Sequence, residues 1–203
     1  RTLWSIIETC LATIFACVVT SIHPNIPGPE DGRWRKNYRL TGVILLGVFA
    51  PELVVTWAGR QFVCARSFTK KMNDLIQSHN KAQGIGSWTL THSFFAYMGG
   101  FMLYRGSERC GIVTAQHIHA ELKRSPPRIG PIDITKEEIN DMSKLNVLSK
   151  GVAIIQILWF VTQLIARNAL SFSITPLEIG TMAFGLLSVL TYVLWMCKPY
   201  QAK

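Results

Sequence analysis

Four stretches of the chain are apolar over lengths that suit a bilayer. They are Leu3–Ile22, Leu40–Ala58, Gly151–Ala166 and Pro176–Cys197. Each comes near the ~20 residues that a helix needs to cross about 30 Å of hydrocarbon. The last two are joined by a short, turn-prone loop and read as a helical hairpin. Pro51 falls inside the second stretch and removes a backbone hydrogen bond there, which predicts a kink near Leu46–Pro51.

Between the second and third stretches the pattern changes. Over Gly59–Gln83, Phe62, Ala65, Phe68, Met72, Leu75 and Ile76 recur at helical spacing, with Arg66, Lys70 and Lys71 mainly on the other side. That is an amphipathic helix, suited to a membrane surface. Gln83–Tyr104 carries no formal charge and is strongly aromatic, but Gly99-Gly100 interrupts it. It is predicted as a re-entrant or partly buried helix. Thr114–Arg124 reads as a short helix and Ser125–Pro131 as a rigid connector. Thr135 and Glu138 form a capping box that starts a polar helix running toward Lys150.

The expected fold is therefore all-α: a multi-pass helical membrane protein with about four transmembrane helices and a re-entrant or partly buried aromatic helix. Residues 1–58 hold the first two spans and a basic connector. Residues 59–150 hold the amphipathic helix, the aromatic segment and a cytoplasmic helical segment, and residues 151–203 the hairpin.

Composition agrees. Of 203 residues, 49% are hydrophobic, and the mean hydropathy is +0.24. The net charge of +9 raises the question of nucleic acid. The Lys and Arg residues collect beside apolar stretches, however, where they face anionic lipid, and no aromatics interleave with them. The expected partners are thus the lipid bilayer and further copies of the chain, with no nucleic acid. Arg60, Arg66, Lys70, Lys71, Lys144 and Lys150 place residues 59–150 and the C-terminus on the cytoplasmic side of an integral membrane protein. Arg1 opens the chain without Met, so no signal peptide is read from it. The five cysteines are odd in number and scattered without a CxxC, which predicts neither a disulfide framework nor a metal site. No cofactor motif occurs, and His117-x-His119 points its two rings to different sides of a helix.

The candidate chemistry is the set of polar residues inside the apolar stretches. Glu8 shares a helical face with Ser5 and Ala12, and so can point at other helices. Glu52 follows Pro51, beside a loosened turn. Gln156, Gln163 and Arg167 fall within about 40° of arc on the third span. Glu178, Thr181, Gly185, Ser188 and Tyr192 make a heptad seam on the fourth, the pattern that lets helices approach closely. Arg167 could pair with Glu178 or Glu52. A charge at mid-membrane costs about 2.5–3.5 kcal/mol or more, so these groups need partners or water. His92, in the aromatic segment, is a further candidate.

Several motifs carry a resemblance. Trp88-Thr-Leu-Thr-His92-Ser-Phe-Phe-Ala-Tyr-Met-Gly-Gly-Phe101 resembles a segment of a group of fungal multi-pass integral membrane proteins of uncharacterised function. So do Ala50-Pro-Glu-Leu53, Ile134-Thr-x-Glu-Glu-Ile139, Trp159-Phe-x-x-Gln-x-x-Ala-Arg167 and Thr191-Tyr-x-x-Trp195. The resemblance implies a membrane protein and makes Glu52, His92, Gln163 and Arg167 motif members. An acidic residue is common in that pattern where this chain has Tyr97. It assigns no activity.

Three functions are compatible with this reading. One is an oligomeric ion channel or transport-type protein using the intramembrane carboxylates. The second is a membrane-embedded enzyme, of cyclase or isomerase type, acting on a lipophilic substrate with Glu52 or Glu178 as acid and His92 as base. The third is a non-catalytic scaffold or sensor.

Overall fold

The computed structural model describes residues 3–28, 31–78, 87–124, 134–141, 146–169 and 175–199. They form eight helices and one antiparallel β-hairpin. The chain divides into two compact units.

The first unit comprises Arg1–Ile22, Asn37–Gly59 and Leu145–Met196. Helix α1 (Leu3–Ser21) packs against both α7 (Asn146–Ala169) and α8 (Pro176–Leu194). Its inner face is Ile6, Cys10, Thr13, Cys17, Val18 and Ser21. The inner face of α8 is Glu178, Thr181, Gly185, Ser188 and Thr191. Both faces are made of small and hydroxyl-bearing residues, which bring helix backbones close together. The heptad seam is thus present on α8, but Thr191 rather than Tyr192 is its last buried member. Threonine hydroxyls within these helices donate back to carbonyls one turn earlier, as Thr9 does to Ser5 (2.6 Å) and Thr181 to Leu177 (2.8 Å). These hydroxyls therefore need no outside acceptor.

Two helices, α1 and α8, are long and apolar enough to cross a membrane. At 19 residues each, they reach roughly 28 Å at 1.5 Å per residue. The expected second span differs from the sequence reading. Helix α2 (Arg33–Phe49) stops before Ala50, and α3 (Pro51–Ser78) restarts at an angle of 113°. Together they count at most as one broken span. The cause is Pro51, which has no N–H to continue α2 and pushes the residue before it out of helical geometry. A kink expected from one lost hydrogen bond is thus a full break. In the expected third span, the described apolar stretch is the shorter Ile154–Gln163, within α7. Among the described residues the helices therefore supply two candidate spans, or three with the broken pair, against the four expected. Gly47 on α2 lies so close to α1 that an added Cβ would meet Ile22 Cδ1 at 2.9 Å and Val18 Cγ1 at 3.0 Å.

The second unit comprises His23–Lys36, Arg60–Lys144 and Cys197–Lys203. Its core is built on the later part of α3. Ala65, Phe68 and Met72 are buried there, while Arg66, Lys70 and Lys71 are exposed, as the amphipathic pattern requires. The aromatic stretch is a buried helix of only eight residues, α4 (Leu90–Tyr97), packed near α5 (Ala115–Leu122) and α6 (Lys136–Asp141). About 12 Å long, α4 cannot cross a bilayer. The chain then turns at Gly99 (φ +81°) into a hairpin of β1 (Met102–Arg105) and β2 (Glu108–Ile112). This hairpin is not part of the sequence reading. Its register pairs Met102 with Ile112 and Arg105 with Glu108, with a bulge near Leu103. Gly106 at φ +63° supplies the left-handed residue of its turn. Thr135 with Glu138 caps α6, as the sequence indicates, and Thr114 caps the shorter α5 rather than belonging to it. The expected connector at 125–131 lies outside the described residues.

Side-chain hydrogen bonds fasten the Trp88 segment to α3. Asn73 donates to the Trp88 carbonyl (3.0 Å) and accepts from its N–H (3.1 Å). The Trp88 indole donates to Ser93 Oγ (2.8 Å), which meets Thr69 Oγ1 at 2.7 Å. Asn73→Ala leaves both backbone groups of Trp88 unpaired. Each buried unpaired group costs about 1–3 kcal/mol, so thermal unfolding followed by tryptophan fluorescence should show a clear drop in Tm. An unchanged Tm would mean that water replaces the amide at no cost.

Candidate functional site

Glu8 is exposed, on the outer face of α1, not on the face that meets α7 and α8. The sequence grouping with Ser5 and Ala12 picked the wrong face because small residues lie on both sides of this helix. Glu52 is exposed in the first turn of α3, beside the break. Its charge there suits the positive end of the helix. Gln156 reaches inward and donates to Thr13 Oγ1 at 3.1 Å. Gln163 is half-buried on the same helix, with the buried Phe160 between them in sequence. Arg167 belongs to α7, but its side chain lies outside the described residues.

Glu178 and His92 are both used locally. The Glu178 carboxylate accepts from the Thr175 N–H and hydroxyl, both at 2.9 Å, and Thr175 Oγ1 accepts the Glu178 N–H (3.3 Å). This is a reciprocal capping box, reinforced by Pro176 at the helix start. A short Thr-x-x-Glu motif explains Glu178 better than a general acid does. His92 Nδ1 accepts the Thr89 N–H at 3.2 Å and lies 2.7 Å from the Thr89 hydroxyl. Nδ1 is therefore unprotonated, and Nε2 carries the hydrogen that it donates to the Ile134 carbonyl at 2.9 Å. Both ring nitrogens are thus engaged in contacts within the unit. Tyr97 sits edge-on to Phe68, with centroids 5.7 Å apart, and partial burial pushes its phenol up.

Two further features are candidates. A cavity of about 140 Å³ lies in the first unit, lined from α1 by Cys17, Thr20 and Ser21, from α7 by Ile154 and Ile157, and from α8 by Ser188, Val189 and Tyr192. Its wall is mostly apolar and bears no carboxylate or imidazole.

The second is Lys198, in the second unit, which is only 2% exposed. Its ammonium donates to the His23 carbonyl (2.6 Å), Gln61 Oε1 (3.0 Å) and Asn25 Oδ1 (3.1 Å). Burial pushes its pKa down to about 7, whereas three oxygen acceptors favour the charged form. Lys198 lies more than a hundred positions from its partners along the chain, so no local pattern marks it.

Among the described residues no group of three or more His, Cys, Asp or Glu could hold a metal ion. No curated protein and no solved structure matches the chain. A family model matches it from end to end, and the chain belongs, over residues 1–203, to a family of unknown function, DUF8562.

Proposed function

We propose that this is an integral membrane protein that assembles from several copies and passes ions or small polar solutes between them. The observation that carries this reading is the position of Glu8. It lies on the outer face of α1 with Trp4, Leu11 and Phe15, which are all largely exposed. Positions 4, 8, 11 and 15 follow a heptad-like stripe along one side of the helix. A carboxylate facing hydrocarbon there would cost about 2.5–3.5 kcal/mol or more. Packing that stripe against another copy, around a wet path, removes the cost. Glu52, exposed at a helix break, is suited to the same path, since non-helical backbone at membrane depth is tolerated beside water. The exposed Arg66, Lys70 and Lys71 of α3 support contact with an anionic cytoplasmic leaflet.

A membrane enzyme acting on a lipophilic substrate has less support. The cavity beside Cys17 is about 140 Å³, against roughly 300–1,000 Å³ for typical ligand pockets. His92, its proposed base, and Glu178, one of its two proposed acids, are used as caps, while Glu52, the other, is exposed.

The test is native mass spectrometry of the detergent-purified protein, followed by recording in planar bilayers with wild type and Glu8→Gln. A defined oligomer whose cation-over-anion preference falls in Glu8→Gln is the expected result, because rings of carboxylates select cations. A monomer, or an oligomer without conductance, would leave the scaffold reading in its place.

A further inference from the structure

We propose that the His23 carbonyl and the side-chain oxygens of Asn25 and Gln61 form a binding site for a primary ammonium group, which the chain fills with its own Lys198. Three separate segments supply the parts: the turn after α1, helix α3, and the residues after α8. All three lie in the second unit. The contacts, at 2.6, 3.0 and 3.1 Å, match the three donors of one –NH₃⁺ to three acceptors. A planar guanidinium would not fit a three-way convergence on one atom, and a buried lysine side chain is rare unless its head group is satisfied.

The site is built in sequence as well as in space. His23 lies past the end of α1 and Pro24 follows it, so its carbonyl stands outside the helical ladder. The Ile26 N–H is directed to the Met98 carbonyl at 3.2 Å. The His23 carbonyl accepts from the lysine at 2.6 Å. The two side-chain ligands are amides, not carboxylates, so the site recognises N–H donors at set positions rather than charge alone. The ligand class is therefore a primary amine.

Chemical rescue tests this in the full chain. Lys198→Ala removes the propylammonium portion of the side chain and should lower Tm by roughly 5–10 °C. Propylammonium at tens of millimolar and mildly acid pH should recover at least half of that loss. Tetramethylammonium, which has the charge but no N–H, should recover none. The proposal is overturned if Lys198→Ala melts with the wild type, or if the two cations act alike. Should Lys198→Ala fail to fold, Lys198→Arg decides: a guanidinium keeps the charge but cannot converge on three acceptors from one atom, so Tm should fall, and a wild-type Tm overturns the site.

Discussion

Raising the pH from 7 toward 10.5 is expected to stabilise the folded protein, and the gain is expected to vanish in Lys198→Met. In the folded chain burial holds Lys198 at about 7, against an ordinary value of 10.5. Between those values the unfolded chain keeps the proton while the folded chain loses it. Stability rises with pH wherever the unfolded state binds more protons, here by at most ~1.4 kcal/mol per pH unit. Below pH 7 both states are protonated, so the contribution is flat and the full cost of a buried charge is carried. The three oxygen acceptors work against this shift, so the measured slope reports how strongly they hold the ammonium. Tm should be measured across this range for wild type and Lys198→Met, and the two profiles subtracted to remove other titrating groups. Parallel profiles would mean that the ammonium keeps its proton in the folded state and that burial is not the dominant effect.

The second large effect is expected at Gly100. A Cβ added there would lie 2.4–2.5 Å from three ring carbons of Phe95. That ring is 5% exposed. It is fixed edge-on to Phe101 (centroids 5.2 Å) and packs with Ile139. The ring cannot withdraw without disturbing α6, so Gly100→Ala should cost about 3 kcal/mol or more, at the upper end for overpacking. Chemical unfolding followed by near-ultraviolet circular dichroism would report it. Combining Gly100→Ala with Phe95→Leu should cost less than the two single losses added together, because the smaller side chain yields the space. Simple additivity would show that the clash is relieved by backbone movement instead.

How far the sequence could be read depends on the range of each interaction. Helix α5, the cap at Thr135 and the buried stripe Ala65, Phe68 and Met72 on α3 follow from residues within a turn or two of one another. So do α1 and α8, whose long apolar runs leave few alternatives. The break at Pro51 was visible, but its size was not, because the angle between two helices depends on what each packs against. The hairpin after Gly99 escaped because its strands are short and mostly exposed, without the alternation that marks a half-buried strand.

The candidate site was less legible for a similar reason. Glu8, Glu52, His92 and Glu178 were selected for being polar in apolar surroundings. Local geometry absorbs His92 and Glu178 as caps, and tertiary packing turns Glu8 outward. The Lys198 centre joins residues more than a hundred positions apart, and nothing near Lys198 in sequence marks it.

The cap at the start of α8 bears on the membrane insertion proposed above. A helix arriving in hydrocarbon must bring its first N–H groups already satisfied, because lipid offers them no acceptor. Thr175 and Glu178 supply acceptors from within the segment itself, and Pro176 removes one donor altogether. The start of α8 thus has acceptors for the Thr175 and Glu178 N–H groups within its own segment. Gln156 of α7, by contrast, finds its partner Thr13 on α1. If the chain is the membrane protein proposed above, α8 carries its first N-terminal acceptors with it, whereas Gln156 of α7 finds its partner only with α1 beside it.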